Sequence, residues 1–294
     1  MAYELDDKLV VAISSMALFD LAEADAVFRE QGSAAYRVFQ RAKEDEPLQP
    51  GSAFGLIRAL LHLNELSGAP LVEVILISKN DADTGFRVMS SIKHYDLPIT
   101  RAAFTAGRSR SEYLKAFSCD LFLSKSEVDV AEALLAGFPA ALVFQSVSSE
   151  AEGEEVRIAF DGDAVIFSGE SEAIFKSSGL EAFLRNETSE ENIPMKPGPL
   201  LGFVRSLVKI QSHFPEHSSP IRLSLVTARN APAHARVVRT LRHWGLRFDE
   251  CFFLGGVEKR RVLEVLKPHI FFDDQELHLR PAAEVVACAQ VPQH

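Results

Sequence analysis

The sequence predicts an α/β chain made of two tandem domains, each a mostly parallel three-layer sheet, and three observations predict it. Apolar strand-like runs alternate with helical stretches, the pattern of a parallel sheet covered by helices. The second half also repeats the first in an ungapped register: "VEVILISKN" (72–80) lies over "IRLSLVTAR" (221–229) at an offset of 149, and "RVMSSIKHYDL" (87–97) falls on "RVVRTLRHWGL" (236–246). No G-x-G-x-x-G follows the first strand of either half, which argues against a dinucleotide-binding domain.

The same offset carries "AFTAG" (103–107) onto "FFLGG" (252–256) and "DLFLSKSE" (120–127) onto "HIFFDDQE" (269–276). Upstream the offset is 147, with "VVAISSMA" (10–17) over "RIAFDGDA" (157–164) and Pro50-Gly51 over Pro197-Gly198. Identity is low; the register and the shared element pattern carry the duplication. In the second half the reading is a strand at 156–160, a helix at 170–185 and a polar loop at 187–198. A helix at 199–214, a strand at 221–226 and a helix at 232–244 follow. A strand at 251–254, a helix at 258–266 and a strand at 269–272 complete it. The small, polar, acidic stretch "SVSSEAEGEE" reads as a linker, giving domains 1–150 and 151–294, with a small cap inserted at about 168–220.

Composition narrows the function. A chain of 294 residues that is 47% hydrophobic and 24% charged can bury a sizeable core. Its net charge of −10 and the lack of a Lys/Arg block argue against nucleic-acid binding. No apolar run approaches the roughly 20 residues of a membrane span. The N-terminus lacks the layout of a signal peptide. Cys119, Cys251 and Cys288 form an odd set without a C-x-x-C pair, which suits free thiols in a reducing compartment. The nine histidines show no metal-binding spacing. The expectation is a soluble cytoplasmic protein.

Ligands of parallel sheets sit beyond the carboxyl ends of the strands, and four features of the second half lie there. Asp161 and Asp163 follow the strand 156–160, placed so that one acid could attack while the other handles protons. Thr227 closes "SLVT" with a hydroxyl suited to a phosphoryl oxygen. Lys259 follows Gly255-Gly256 and supplies a fixed cation; Lys267 is a second candidate. Asp273-Asp274 closes "HIFF" and offers hard oxygen ligands for Mg²⁺. Singly, such features are most often turns, caps or solvated residues. Their order and shared location make the combination specific.

That order, D-x-D, Thr, Lys, then D-D, resembles the haloacid dehalogenase (HAD) superfamily of phosphohydrolases, whose domains are Rossmann-like. The stretches "IAFDGDAVIFSGESE", "LVTARNAPAHARVVRTLRHWGL", "KPHIFFDDQ" and "GFRVMSSIKHYDL" are similar, more closely, to the type I cytosolic 5'-nucleotidases. The resemblance implies Mg²⁺-dependent hydrolysis of nucleoside 5'-monophosphates, AMP the first guess, through an aspartyl-phosphate on Asp161. It implies that Asp163 protonates the leaving oxygen and later activates water. Thr227 and Lys259 would hold the phosphoryl group, Ala228 and Arg229 would be further substrate-binding residues, and Mg²⁺ would sit among Asp161, Asp163 and one of Asp273 and Asp274. Phe167, Phe175, Phe183 and Asn186 are candidates for holding the nucleoside. Family analogy leaves room for a homo-oligomer and for a nucleotide effector. A phosphatase for another phosphomonoester, such as a sugar phosphate, and a non-catalytic nucleotide-binding protein stand as alternatives.

At the matched positions the first half has Ser14, Met16, Ser78, Arg110 and Ser124-Lys125. The nucleophile, the proton handler and the metal acids are missing, so this half should not hydrolyse phosphate by that route. Two readings stay open for it: a structural partner, or a nucleotide or effector contact through Lys79, Arg108, Arg110 and Lys125.

Overall fold

The computed structural model describes residues 3–146, 155–215, 217–230 and 233–293. The chain divides into two compact units, Met1–Val143 and Phe144–His294. Most of the expected linker, 147–154, lies outside the described residues.

The first unit runs β1 (Leu9–Ile13), α1 (Ser15–Leu18), α2 (Ala22–Ala42), α3 (Phe54–Ser67), β2 (Val72–Ser78) and α4 (Phe86–His94). It continues with β3 (Arg101–Phe104), α5 (Ser111–Ala116), β4 (Leu121–Ser124), α6 (Glu127–Leu135) and β5 (Ala140–Val143). Its strands lie in the order β3-β2-β1-β4-β5, all parallel. Val10, Ala12, Ile75 and Ile77 enter one apolar cluster with Leu114 of α5 and Val130 of α6. The helix α3 buries Leu56, Ile57 and Leu60.

The second unit runs β6 (Val156–Phe160), α7 (Glu170–Ser189), α8 (Leu201–Gln211), β7 (Ile221–Thr227) and α9 (His234–His243). Then come β8 (Glu250–Phe253), α10 (Lys259–Leu266), β9 (Ile270–Asp273), α11 (Glu276–Ala282) and β10 (Cys288–Gln290). Its parallel strands take the order β10-β9-β6-β7-β8. Alternation along the strands separates the two faces. Ala159 and Phe271 join Leu263 of α10 and Leu279 of α11. Phe160 and Phe272 stack at 5.3 Å and meet Phe203 of α8 at 6.2 and 6.1 Å. Helices therefore cover both faces, the three layers the sequence predicts.

The α8 contacts correct the expected cap. A helix that buries Leu201, Phe203, Val204, Leu207 and Ile210 against the sheet is core, so only the segment before it, about 168–199, is a candidate cover. The element between is α7, which is longer than expected and bends at Gly179 (φ 78°); α2 bends alike at Gly32 (φ 81°). A left-handed residue inside a helix is cheap only for glycine. Among the described residues no helix is long and apolar enough to cross a membrane.

Each unit closes its first βα segment with the same device. Phe19 bridges to Pro50 and Phe167 to Pro197, and the glycine after each proline is pressed on backbone. A β-carbon on Gly198 would lie 2.4 Å from the Phe167 carbonyl oxygen. Gly198→Ala is therefore expected to lower stability by about 1–3 kcal/mol or more, since backbone cannot give way as a side chain does. Gly202, whose β-carbon would meet nothing within 4 Å, is the control. Gly202→Ala should stabilise α8 by up to ~1 kcal/mol. Urea midpoints of the two variants measure the contrast, and equal losses would contradict it.

Candidate active site

The chain leaves β6 at Phe160, so Asp161 is the first side chain beyond the sheet. On the neighbouring strand, β9 ends at Asp273, followed at once by Asp274. Carboxylate oxygens of Asp161, Asp273 and Asp274 all lie within 4.8 Å of one another. Lys259, the first residue of α10 and 1% exposed, places Nζ 2.9 Å from Asp161 Oδ1 and 2.7 Å from Asp273 Oδ2. Lys267, the alternative cation, is an exposed left-handed cap at the far end of that helix.

The electrostatics follow from three buried acids around one ammonium. Burial opposes the charge on Lys259, but Asp161 and Asp273 outweigh it, and its pKa rises. Burial pushes the carboxyl groups of Asp161 and Asp273 up, with Lys259 pulling the other way. For Asp274, burial, then Asp273 and Glu172, push the carboxyl to about 8 against the hydrogen bond from Gln293.

The acids differ in what they still have to offer. Asp273 gives Oδ2 to Lys259 and Oδ1 to the Gln275 amide. Asp274 Oδ2 accepts from Gln293 Nε2 at 2.5 Å, while its buried Oδ1 has no hydrogen-bond partner among the described residues. An orphaned carboxylate oxygen inside a cluster of hard donors with excess negative charge fits a divalent cation.

Asp163 lies in a second network. Arg229 donates to both its oxygens, from Nε at 2.8 Å and Nη2 at 2.7 Å. The same guanidinium pairs with Glu187 of α7, and Glu187 accepts from Arg236 of α9 at 3.1 Å. Burial opposes the Arg229 charge, yet Asp163 and Glu187 hold its pKa above the ordinary value. This corrects the expected substrate-binding role of Arg229: its donors are engaged by two carboxylates. Thr227 is buried at the end of β7, where its Oγ1 accepts from the Arg229 amide at 3.2 Å, and Ala228 beside it is exposed.

The four nucleoside candidates separate. Phe167 is fully buried, 5.7 Å from the Trp244 ring, and belongs to the core, which removes it as a ligand contact. Asn186 lines a small cavity of about 140 Å³ with Ser168, Glu190, Met195 and Arg236, a wall that shares no residue with the acid cluster. Phe175 remains half exposed and meets Phe183 edge-on at 6.2 Å. Phe183 in turn lies under the Arg229 guanidinium at 5.2 Å, beside the Asp163 network.

Sequence reasoning missed Glu187, Arg236, Gln293 and Glu172. A signal existed for two of them. Under the internal register Glu187 falls on Gln40 and Arg236 on Arg87, and Arg87 Nη1 donates to Gln40 Oε1 at 3.4 Å. Polar residues facing each other at matched positions in both halves mark an inward contact.

A family model described as 5'-nucleotidase matches residues 1–294. Human cytosolic 5'-nucleotidase 1B is 36% identical over 293 residues, covering 96% of this chain and 48% of that protein. The chain thus spans about half the length of the curated relative it matches. Among solved structures, histidinol dehydrogenase from Elizabethkingia anophelis aligns over 96% of this chain and 52% of its own with 9% identity and a TM-score of 0.23, too low to bear on the fold.

The Arg229 network makes a stability prediction. Arg229→Met takes one of two guanidinium partners from Glu187, whose side chain is 1% exposed, and both donors from Asp163, and is expected to cost up to about 3–5 kcal/mol by urea denaturation. Adding Glu187→Gln should recover a large part of that loss, because the buried charge is removed with its partner. A double variant no more stable than the single one would count against this account.

Proposed function

The chain belongs to the 5'-nucleotidase family, and on that premise we propose that its second unit hydrolyses nucleoside 5'-monophosphates, AMP first among them, to nucleoside and phosphate. The observation that carries the reading is Lys259 held between Asp161 and Asp273, beside an Asp274 oxygen that lacks a partner among the described residues. A phosphomonoester is an anion facing a carboxylate, and the two repel. Mg²⁺ held by Asp161, by Asp163 through its backbone carbonyl and by Asp274 would offset that repulsion. Asp274 is preferred to Asp273 as the direct ligand because both Asp273 oxygens are already hydrogen-bonded.

In this mechanism an Asp161 oxygen attacks phosphorus, the bond from phosphorus to the 5'-oxygen breaks, and Asp163 delivers the proton that the leaving oxygen takes. Water then attacks the aspartyl-phosphate, gives its proton to Asp163, and phosphate leaves with Asp161 regenerated. Lys259 and the Thr227 hydroxyl hold the phosphoryl oxygens. Arg229 occupies both oxygens of Asp163, so for the first step, in which Asp163 delivers a proton, the pair must open. Since Glu187 ties Arg229 to α7, movement of that helix over the ligand would be the event that opens it. Phe175 and Phe183 are the better candidates for the nucleoside ring.

The two units are read as HAD-like domains from an internal duplication, and recurring geometry supports this. Both have the same strand order. Gly32 and Gly179, 147 apart, bend their helices alike, and Ser118 and Lys267, 149 apart, are both left-handed at φ 50° and 47°. The Leu48 amide donates to Ser91 Oγ as the Met195 amide donates to Thr240 Oγ1. A cytosolic setting fits the relative's name and three free thiols.

The test is phosphate release from nucleoside monophosphates and from glucose 6-phosphate, with Mg²⁺ and with EDTA. Release from nucleotides alone, abolished by EDTA, is expected. Asp161→Asn should lower kcat by more than ~10³-fold, and Asp163→Asn by about 10²–10⁴-fold. Release confined to the sugar phosphate would favour the alternative phosphatase, and full activity in Asp161→Asn would discard the mechanism.

A further inference from the structure

The first unit contains a pocket of about 760 Å³ at the carboxyl ends of its strands, large enough for a nucleotide. Among the hydroxyls that line it are Ser14 after β1, Ser78 at the end of β2 and Ser124 at the end of β4. They occupy the positions matched to Asp161, Thr227 and Asp273. Where the second unit gathers acids, this pocket gathers cations. Lys79, Arg110 and Lys125 line it; Asp129 pairs with Arg110 and, at 2.5 Å, with Lys79, while Glu132 acts on Lys79 and Arg110 and Asp20 on Lys125 from outside the lining. The other two lining carboxylates, Asp25 and Asp81, are already paired with Arg29 and Arg37.

These contacts leave one buried donor idle. Arg110 is 4% exposed, and its Nε has no hydrogen-bond partner among the described residues. Burial holds Arg110 down at about 10, and burial also lowers Lys79 and Lys125, although Asp20 offsets part of the latter. A buried cation with an idle donor, between two further cations, is a setting in which an anion gains from entering.

The pocket also has an aromatic wall. Phe28, 49% exposed, meets Tyr36 edge-on at 5.7 Å and 82°. The second unit has Phe175 against Phe183 at 6.2 Å and 85°, each 147 residues further along. The pair that could face a nucleoside is present in both units, whereas the acids that would attack phosphorus are present in one. An exposed phenyl ring beside a polar pocket gains by covering its face with a flat ring.

We propose that the first-unit pocket is a second, non-hydrolytic binding site for a nucleoside 5'-phosphate. The phosphate sits on the three serine hydroxyls among Lys79, Arg110 and Lys125, and the ring lies against Phe28 and Tyr36. Met16 and Lys125 stand where the second unit has Asp163 and Asp274, so the ligand is held without a proton handler and without need of a metal.

The test uses the full chain carrying Asp161→Asn, titrated calorimetrically in EDTA with AMP and with inorganic phosphate, so that neither turnover nor metal contributes. AMP is expected to bind, and Lys79→Ala with Lys125→Ala to weaken it by about tenfold or more. Phe28→Ala should weaken AMP and leave inorganic phosphate unchanged. Lys259→Met, in the second unit, should leave the site intact. Thermal melts establish that each variant is folded; because Lys79 is 40% exposed, its variant alone suffices if the double variant is unstable. The proposal is overturned if AMP does not bind at millimolar concentration in EDTA, or if binding ignores Lys79 and Lys125 and vanishes with Lys259→Met. Inorganic phosphate binding as tightly as AMP would overturn the aromatic contact and with it the nucleoside. Failure here leaves the hydrolysis reading untouched, since that is judged by phosphate release with Mg²⁺.

Discussion

A lysine ammonium that water cannot reach must find its charge partners inside the protein, and the second unit is organised around that requirement. Lys259 is 1% exposed, and its two partners come from different strands, Asp161 after β6 and Asp273 at the end of β9. Neither side of this contact is tolerable alone, because an unpaired buried charge costs several kcal/mol. The position of α10 is thus coupled to the ends of two adjacent strands. The loop that delivers Lys259 is tied to a third, with the Leu254 amide on the Thr227 carbonyl and the Gly255 amide on the Arg229 carbonyl. With three acids gathered and one cation to balance them, the cluster has charge left over, which is the condition for holding a divalent cation.

The second network applies the same rule at one remove. Arg229 is buried because Asp163 and Glu187 take its donors, and Glu187 is buried because Arg236 supports it as well. The matched positions of the first unit show what happens when one member is replaced. Met16 stands for Asp163, Asn80 for Arg229 and Gln40 for Glu187. Tyr36 donates to Asn80, and Gln40 donates to Tyr36. A guanidinium there without its acid would be an orphaned charge, so the neutral amides belong together as a set. Only the outer arginine persists, and for a reason unrelated to the acid. Arg87 Nε donates to the Glu46 carbonyl as Arg236 Nε donates to the Ile193 carbonyl, contacts that hold backbone.

How far the site was legible in the sequence follows from these contacts. The strand-end positions of Asp161, Thr227 and Asp273 could be read because backbone periodicity alone decides where a strand stops. Side-chain direction was a different matter. Phe167 and Asn186 sit in the right segment, yet the ring packs on Trp244 and the amide lines another cavity, choices made by tertiary packing that no spacing records. Arg229 adjoins Thr227 and reads as a phosphate ligand until Asp163 and Glu187 are seen to occupy it. The polar run at 187–198 hides the end of α7, because its composition resembles a loop while Glu187 is turned inward and 3% exposed. The segment after Asp274 yielded no assignment, although it forms α11 and β10 and supplies Gln290 and Gln293 to Asp274.

The same strand ends therefore support two different solutions to one electrostatic problem. A phosphate brought to a parallel sheet needs positive charge, and a carboxylate nucleophile adds to that need. On the proposed mechanism the second unit carries a carboxylate nucleophile, so its acids exceed its cations and a bound metal would supply the balance. On the proposed binding mode the first unit has hydroxyls in place of the acids, so Lys79, Arg110 and Lys125 would hold the phosphate with no carboxylate to attack it. Holding and cutting a phosphate are in this sense opposed demands on one site: the charge that makes a site reactive is the charge that repels the ligand. Two matched sites, as proposed, would let a chain meet both demands separately, which would be a physical reason to keep the strand frame without the acids.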